Sequence, residues 1–195
     1  DRAKAAADAV FARWPVATLN EFRSLMAAEL SVTLEFVASD EGLARIAERY
    51  QASCSYPLLG LLRAEFRDSR NDGLLLRRDS AGPGDRAYVA VIDARDERAA
   101  SRAYFTAWHE LAHVLVARSA PSSPARRSLE PRRDPLESVV DEVASWLGFF
   151  EPIFVPVVER EEAVGGMPSF ALVERVRQTA VPDASLQATA IAVVR

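Results

Sequence analysis

The stretch FTAWHELAHVL, residues 105–115, holds both histidines of the 195-residue chain, His109 and His113, with Glu110 directly after the first. On an α-helix, residues four apart lie one above the other on the same face, so both imidazoles can be aimed at a single point. Glu110 lies beside that point, within reach of a water there but outside a ligand position. His-Glu-x-x-His is the spacing of a catalytic zinc site: two nitrogen ligands from one helical turn and an adjacent carboxylate as general base. Chance sets two histidines four apart in a chain of this length about once in a hundred times, and the adjoining glutamate makes it roughly once in a thousand. The bland alternative is a solvated pair on a helix surface. Phe105, Ala112 and Val116 flank the histidine line, so that face is expected to be partly buried. Two imidazoles without partners there would cost free energy that a metal ion would remove.

A catalytic zinc takes three protein ligands and leaves the fourth position to water. No histidine remains, and Cys54, the only cysteine, lies far back in the chain. The third ligand is therefore expected to be a carboxylate from DPLESVVDEVASWLGFF, residues 134–150. Steps of 100° place Glu137 at the edge of an apolar stripe made by Leu136, Val140, Val143, Ala144 and Leu147. Asp141 falls slightly further out and Glu142 on the wet face. Glu137 ranks first and Asp141 second. Asp134-Pro135-Leu136-Glu137 also has the form of an N-cap, a proline at N1 and a capping-box glutamate, a purely local role that Glu137 could fill instead. If Glu137 is the ligand, Asp141 becomes an acceptor for an imidazole N–H.

Working outward, composition narrows the function classes. A net charge of −4 and scattered arginines, with Lys4 the only lysine, argue against a domain that grips nucleic acid through its phosphates. No apolar run approaches the roughly 20 residues of a membrane span. A single cysteine excludes an internal disulfide and suits a reducing compartment. The first residues have the mixed charge of an amphipathic helix and not of a signal peptide. A chain that opens on Asp1 suggests that further domains flank it.

Helices are expected over 2–14 and from Thr18, a plausible N-cap, followed by a strand in SVTLEFVA with Val32, Leu34 and Phe36 on one face. DEGLARIAERY reads as a helix, and PLLGLLRAEF fits helix or strand. GLLLRRD and AYVAVID, separated by SAGPGDR, form a hairpin. The motif helix is expected over 98–118, an exposed loop over 119–134, and a helix over 134–150. Pro152, Pro156 and Gly165–Gly166 mark breaks before two last helices near 169–179 and 183–194. Helices around one small sheet make the fold α+β.

Three segments resemble the ImmA/IrrE-type zinc metallopeptidases. PVATLNEFRSLMAAELSVTLEFV is similar to the family's opening helix–strand unit. AYVAVIDARDERAASRAYFTAWHELAHVL carries the R-x-x-F-T-x-x-H-E-x-x-H signature on Arg102, Phe105, Thr106, His109, Glu110 and His113. ESVVDEVASWL resembles the helix that brings the third ligand, aligning Glu137 with it and Asp141 with an Asn/Asp position. Val140 and Val143 depart from the usual Ala and Phe. The resemblance implies a zincin-like fold, with a small hairpin sheet packed against the His-Glu-x-x-His helix and a second ligand helix. It implies a metallopeptidase domain over 1–155, with 38–72 an insertion, and a helical extension over 156–195. It also implies a cytoplasmic endopeptidase, bacterial or phage-encoded, that regulates transcription by cutting a helix-turn-helix repressor.

On this reading Zn2+, rather than Mn2+ or Fe2+, sits on His109, His113 and Glu137, and Glu110 is the general base. Arg102 or Tyr104, a backbone amide or the metal itself would steady the oxyanion. The strand YVAVID would offer an edge for substrate pairing. Two rival classes share these residues. One is a non-catalytic zinc module that binds a repressor or antitoxin; the other is a hydrolase of small amides in a closed pocket.

Overall fold

A computed structural model describes residues 2–67, 71–80, 82, 84–116, 125–126, 135–165 and 169–194. Two helices open the chain, α1 (Arg2–Arg13) and α2 (Leu19–Glu29), followed by β1 (Val32–Val37). Thr18 caps α2: its hydroxyl accepts from Glu21 N–H, while the Glu21 carboxylate accepts from Thr18 N–H, both at 3.2 Å. Next come α3 (Asp40–Gln51) and α4 (Leu58–Glu65), which settles the ambiguous PLLGLLRAEF as helix. The hairpin strands are β2 (Gly73–Arg77) and β3 (Tyr88–Asp93), and the motif helix is α5 (Glu97–Val116). A two-residue β4 (Ala125–Arg126) precedes α6 (Pro135–Gly148), α7 (Glu151–Gly165), α8 (Phe170–Ala180) and α9 (Leu186–Val194). The described residues are thus mixed α+β and mostly helical, around one small sheet.

The sheet runs β1-β3-β2-β4. β1 lies parallel to β3, with Val32 opposite Tyr88, and β2 lies antiparallel to β3, with Gly73 opposite Ile92. β3 is therefore an interior strand with both sides paired. The expectation that YVAVID offers a free edge is corrected here, and the edges are β1 and β4. From Val89 to Asp93 every residue of β3 is buried, because helices cover both faces of the sheet. Leu74, Leu76, Val89 and Val91 pack with Leu43, Ile46, Leu58 and Leu62 of α3 and α4. Residues 38–72, expected as an insertion, supply that covering layer. Val32 and Ala90 face the other way, into a core with Phe22, Trp108, Leu111 and Phe150.

That second core centres on aromatic contacts. The rings of Phe22 and Phe150 stack at 4.4 Å, and Trp108 meets Phe22 at 5.8 Å. Leu172, Val176 and Val181 belong to the same cluster. Residue 155 falls inside α7, and the core continues across it.

Three further readings change. Phe36 is 45% exposed although it shares the Val32–Leu34 face, because it lies at the rim of the sheet. Leu136, assigned to the apolar stripe of α6, is 42% exposed, since its turn lies beyond the reach of the core that takes Val140, Ala144 and Leu147. Pro152 and Pro156 do not break the chain. Pro152 sits in the first turn of α7, where its missing N–H has no intrahelical partner to lose, and Pro156 is accommodated inside the helix. The predicted 119–134 loop lies outside the described residues except for Ala125 and Arg126, which pair with Leu75 and Leu74 of β2. Asp134, the expected N-cap, lies outside them as well.

Candidate metal centre

α5 is apolar on nearly all sides. Ala103, Tyr104, Ala107, Trp108, Leu111, Ala112, Val114 and Leu115 are all buried, and the helix lies between the sheet and α6. Through this runs a polar line, Thr106, His109, Glu110 and His113, each no more than 1% exposed. Polar groups taken out of water at this depth are costly unless something compensates them.

For the two histidines the compensation comes from α6. Glu137, in the first turn of that helix, places Oε2 3.3 Å from His109 Nε2 and 3.7 Å from His113 Nε2. The two Nε2 atoms are themselves 3.0 Å apart. A triangle of these sides has a point about 2 Å from all three atoms, the length of zinc–nitrogen and zinc–oxygen bonds. His109, His113 and Glu137 are the group that could hold a metal ion among the described residues.

Asp141, the next turn of α6, has a different place. Its Oδ1 lies 3.0 Å from His109 Nδ1, on the far side of the ring from the convergence point. A carboxylate there holds the proton on Nδ1 and leaves the Nε2 lone pair facing His113 and Glu137. Burial, reinforced by His109, pushes the His113 imidazole down to about 4, so this ring is neutral near pH 7. A neutral imidazole is the form that ligates a metal. His113 Nδ1 is buried with no hydrogen-bond partner among the described residues.

Glu110 projects from α5 against the first residue of β2. The side chains of Glu137 and Asp141 are 21% and 29% exposed, whereas the histidines are closed off, so solvent meets the site on its α6 side. Glu142 is exposed, on the wet face where the sequence puts it.

Arg102 and Tyr104, the candidate oxyanion or substrate contacts, are both engaged elsewhere. Arg102 pairs with the buried carboxylate of Asp72. The Tyr104 hydroxyl donates to the carbonyl of Gly148 at the end of α6, and burial pushes its phenol well above the usual range. Five residues before His109, Tyr104 is turned about 140° from it around the helix. Phe105, in contrast, does reach the site: its ring lies 6.4 Å from that of His109. It also borders a cavity of about 210 Å³ between α5 and α9, walled by Arg102, Tyr104, Phe149 and Ile191, so both candidate contacts line a cavity beside the site. Sequence reading passed over Asp72 and Gly73, which approach Arg102 and Glu110 from thirty or more residues away. Their only signal was a lone glycine ahead of an apolar run, which also marks an ordinary turn.

Compared with protein-family models, curated proteins and solved structures, the chain matches none.

Proposed function

We propose that this chain is a zinc-dependent endopeptidase of zincin-like architecture, with His109, His113 and Glu137 as metal ligands and Glu110 as general base. The observation that carries the reading is the convergence of His109 Nε2, His113 Nε2 and Glu137 Oε2 on one point, with a buried glutamate on the next position of the same helix. Two imidazoles and a carboxylate within a tetrahedral bond length suit zinc over the harder, higher-coordinate Mn2+. A purely structural site has no use for Glu110, which distinguishes the enzyme from a non-catalytic zinc module.

Zinc bound there supplies Lewis acidity, which acidifies water and polarises a peptide carbonyl. Asp141 keeps His109 in the tautomer that ligates. Glu110 takes a proton from the attacking water at a carboxylate oxygen and delivers it to the nitrogen of the departing amine. Tyr104 is bound to Gly148 and Arg102 to Asp72, so we assign neither a proton-transfer role, and both are left to line the cavity beside the site. Oxyanion stabilisation then falls to the metal or to backbone amides. The substrate class we favour, a helix-turn-helix repressor in a bacterial or phage cytoplasm, rests on the resemblance of the motif segments alone. No helix among the described residues is long and apolar enough to cross a membrane.

The test is Glu110→Gln on zinc-loaded protein, offered a mixture of fluorogenic peptides and a purified helix-turn-helix repressor. Zinc content should remain at one per chain while cleavage falls about a hundredfold or more. Undiminished cleavage by the glutamine variant would remove Glu110 from the chemistry. No cleavage by wild-type protein at any zinc level would favour the binding module.

A further inference from the structure

We infer that Gly73 is a positioning residue for Glu110, and that Asp72 and Gly73 form the support against which its carboxylate is held; the inference rests on Glu110 being the general base. Asp72, just before β2, and Gly73, its first residue, meet α5 in two places. The Asp72 carboxylate is buried and paired with Arg102, near the N-terminal end of the helix. Its carbonyl accepts the N–H of Asp93 at 2.8 Å, which ties the same residue to β3. The next residue, Gly73, is buried opposite Ile92 and faces the polar line of α5.

A methyl group at Gly73 would lie 2.6 Å from Thr106 Cγ2, 2.7 Å from Glu110 Oε1 and 3.2 Å from Glu110 Cδ. Ordinary contacts between such atoms are roughly 3.5 Å, so something must yield by most of an ångström. The backbone gives no other reason for glycine here: among the described residues, the glycine with positive φ is Gly84. Space is the reason. The strand cannot retreat, because the ladder to β3 and the Arg102–Asp72 pair hold it. The helix cannot retreat either, wedged between sheet and α6. Thr106 Cγ2 and the Glu110 carboxylate both stand in the way, and the end of the longer Glu110 side chain is the more easily displaced of the two. The atoms nearest a Gly73 methyl belong to Thr106 and Glu110, so the substitution bears first on general-base placement.

Thermal unfolding of Gly73→Ala, Glu110→Ala and the double variant, all zinc-loaded, reads this contact without any assay of hydrolysis. The fall in Tm caused by Gly73→Ala should shrink by half or more in the Glu110→Ala background, the remainder coming from Thr106. Equal falls in both backgrounds would overturn the inference. If Gly73→Ala alone does not fold, the same comparison is made with Thr106→Ser added, which removes the Cγ2 contact: recovery of a folded chain with Glu110→Ala then supports the contact, and no recovery overturns it. In the peptide assay, Gly73→Ala should lower kcat about a hundredfold with KM and zinc content unchanged. Wild-type kcat in a folded Gly73→Ala chain would also overturn it. A wild-type protein that cleaves nothing would sink the proposed function while the Tm cycle still reports on the contact.

Discussion

Glu137 and Asp141 are one helical turn apart, and on the proposed reading that turn separates a metal ligand from its support. Glu137 Oε2 faces both imidazole nitrogens, whereas Asp141 meets the back of the His109 ring. Glu137→Ala should abolish stoichiometric zinc binding in equilibrium dialysis. Asp141→Ala should retain the site but weaken it about 10- to 100-fold, the usual cost of losing an orienting carboxylate. Equal losses would mean that both acids ligate. His113 gives a pH prediction for the metal-free protein. Its folded pKa, about 4, lies below the value near 6.5 of an exposed imidazole. Between those limits the unfolded chain binds a proton that the folded chain refuses, so stability falls on acidification from pH 6.5 towards 4. The expected slope is roughly 1.4 kcal/mol per pH unit, read from urea midpoints. His113→Phe should flatten it. The histidine pair was legible from the sequence because a helix converts a spacing of four directly into shared direction. The partner of Arg102 was not, since only the folded sheet brings Asp72 to it. The Gly148 partner of Tyr104 was equally hidden, since only the packing of α6 on α5 brings that carbonyl to it.

Between elements, the decisive contact is α5 against α6, because each contributes to the site and neither forms it alone. Besides Glu137 and Asp141, the two helices are joined at the C-terminal end of α6 by the Tyr104 hydroxyl on the Gly148 carbonyl. Tyr104→Phe leaves that buried acceptor without its donor, at a cost of about 1–3 kcal/mol in urea unfolding. Zinc affinity should not change, since the lost bond lies at the end of α6 away from Glu137. A loss of zinc affinity equal to that of Asp141→Ala would show that the pair sets the ligand geometry. Helices with caps and clear periodicity, such as α2, were readable locally. α7 was not, because proline's local cost was outweighed by tertiary burial: Ile153 and Phe154 both donate to the Phe150 carbonyl and are themselves buried.

For the whole molecule, the central question is whether the last helices fold with the site or merely follow it. The run YVAVID could be recognised as a strand, and its near-unbroken hydrophobicity fits cover on both faces. Its neighbours in the sheet could not be read, since pairing order depends on where α3 and α4 cross. Nor could the destination of α8, whose apolar positions show a buried face without saying against what. In the structure that face joins the core of Phe22, Trp108 and Phe150. Leu172, 1% exposed, is the sharpest probe of the union. Leu172→Ala should destabilise by about 2–5 kcal/mol, as cavities in a packed core do. If the core is continuous, the whole unfolding curve shifts, and tryptophan fluorescence from Trp108 moves together with helical circular dichroism. Were 156–195 a separate unit, the variant would lose helix early while the Trp108 signal kept its wild-type midpoint. Because α5 carries both Trp108 and the histidines, coincident transitions would also mean that bound zinc protects Leu172→Ala against urea as it protects the wild-type chain.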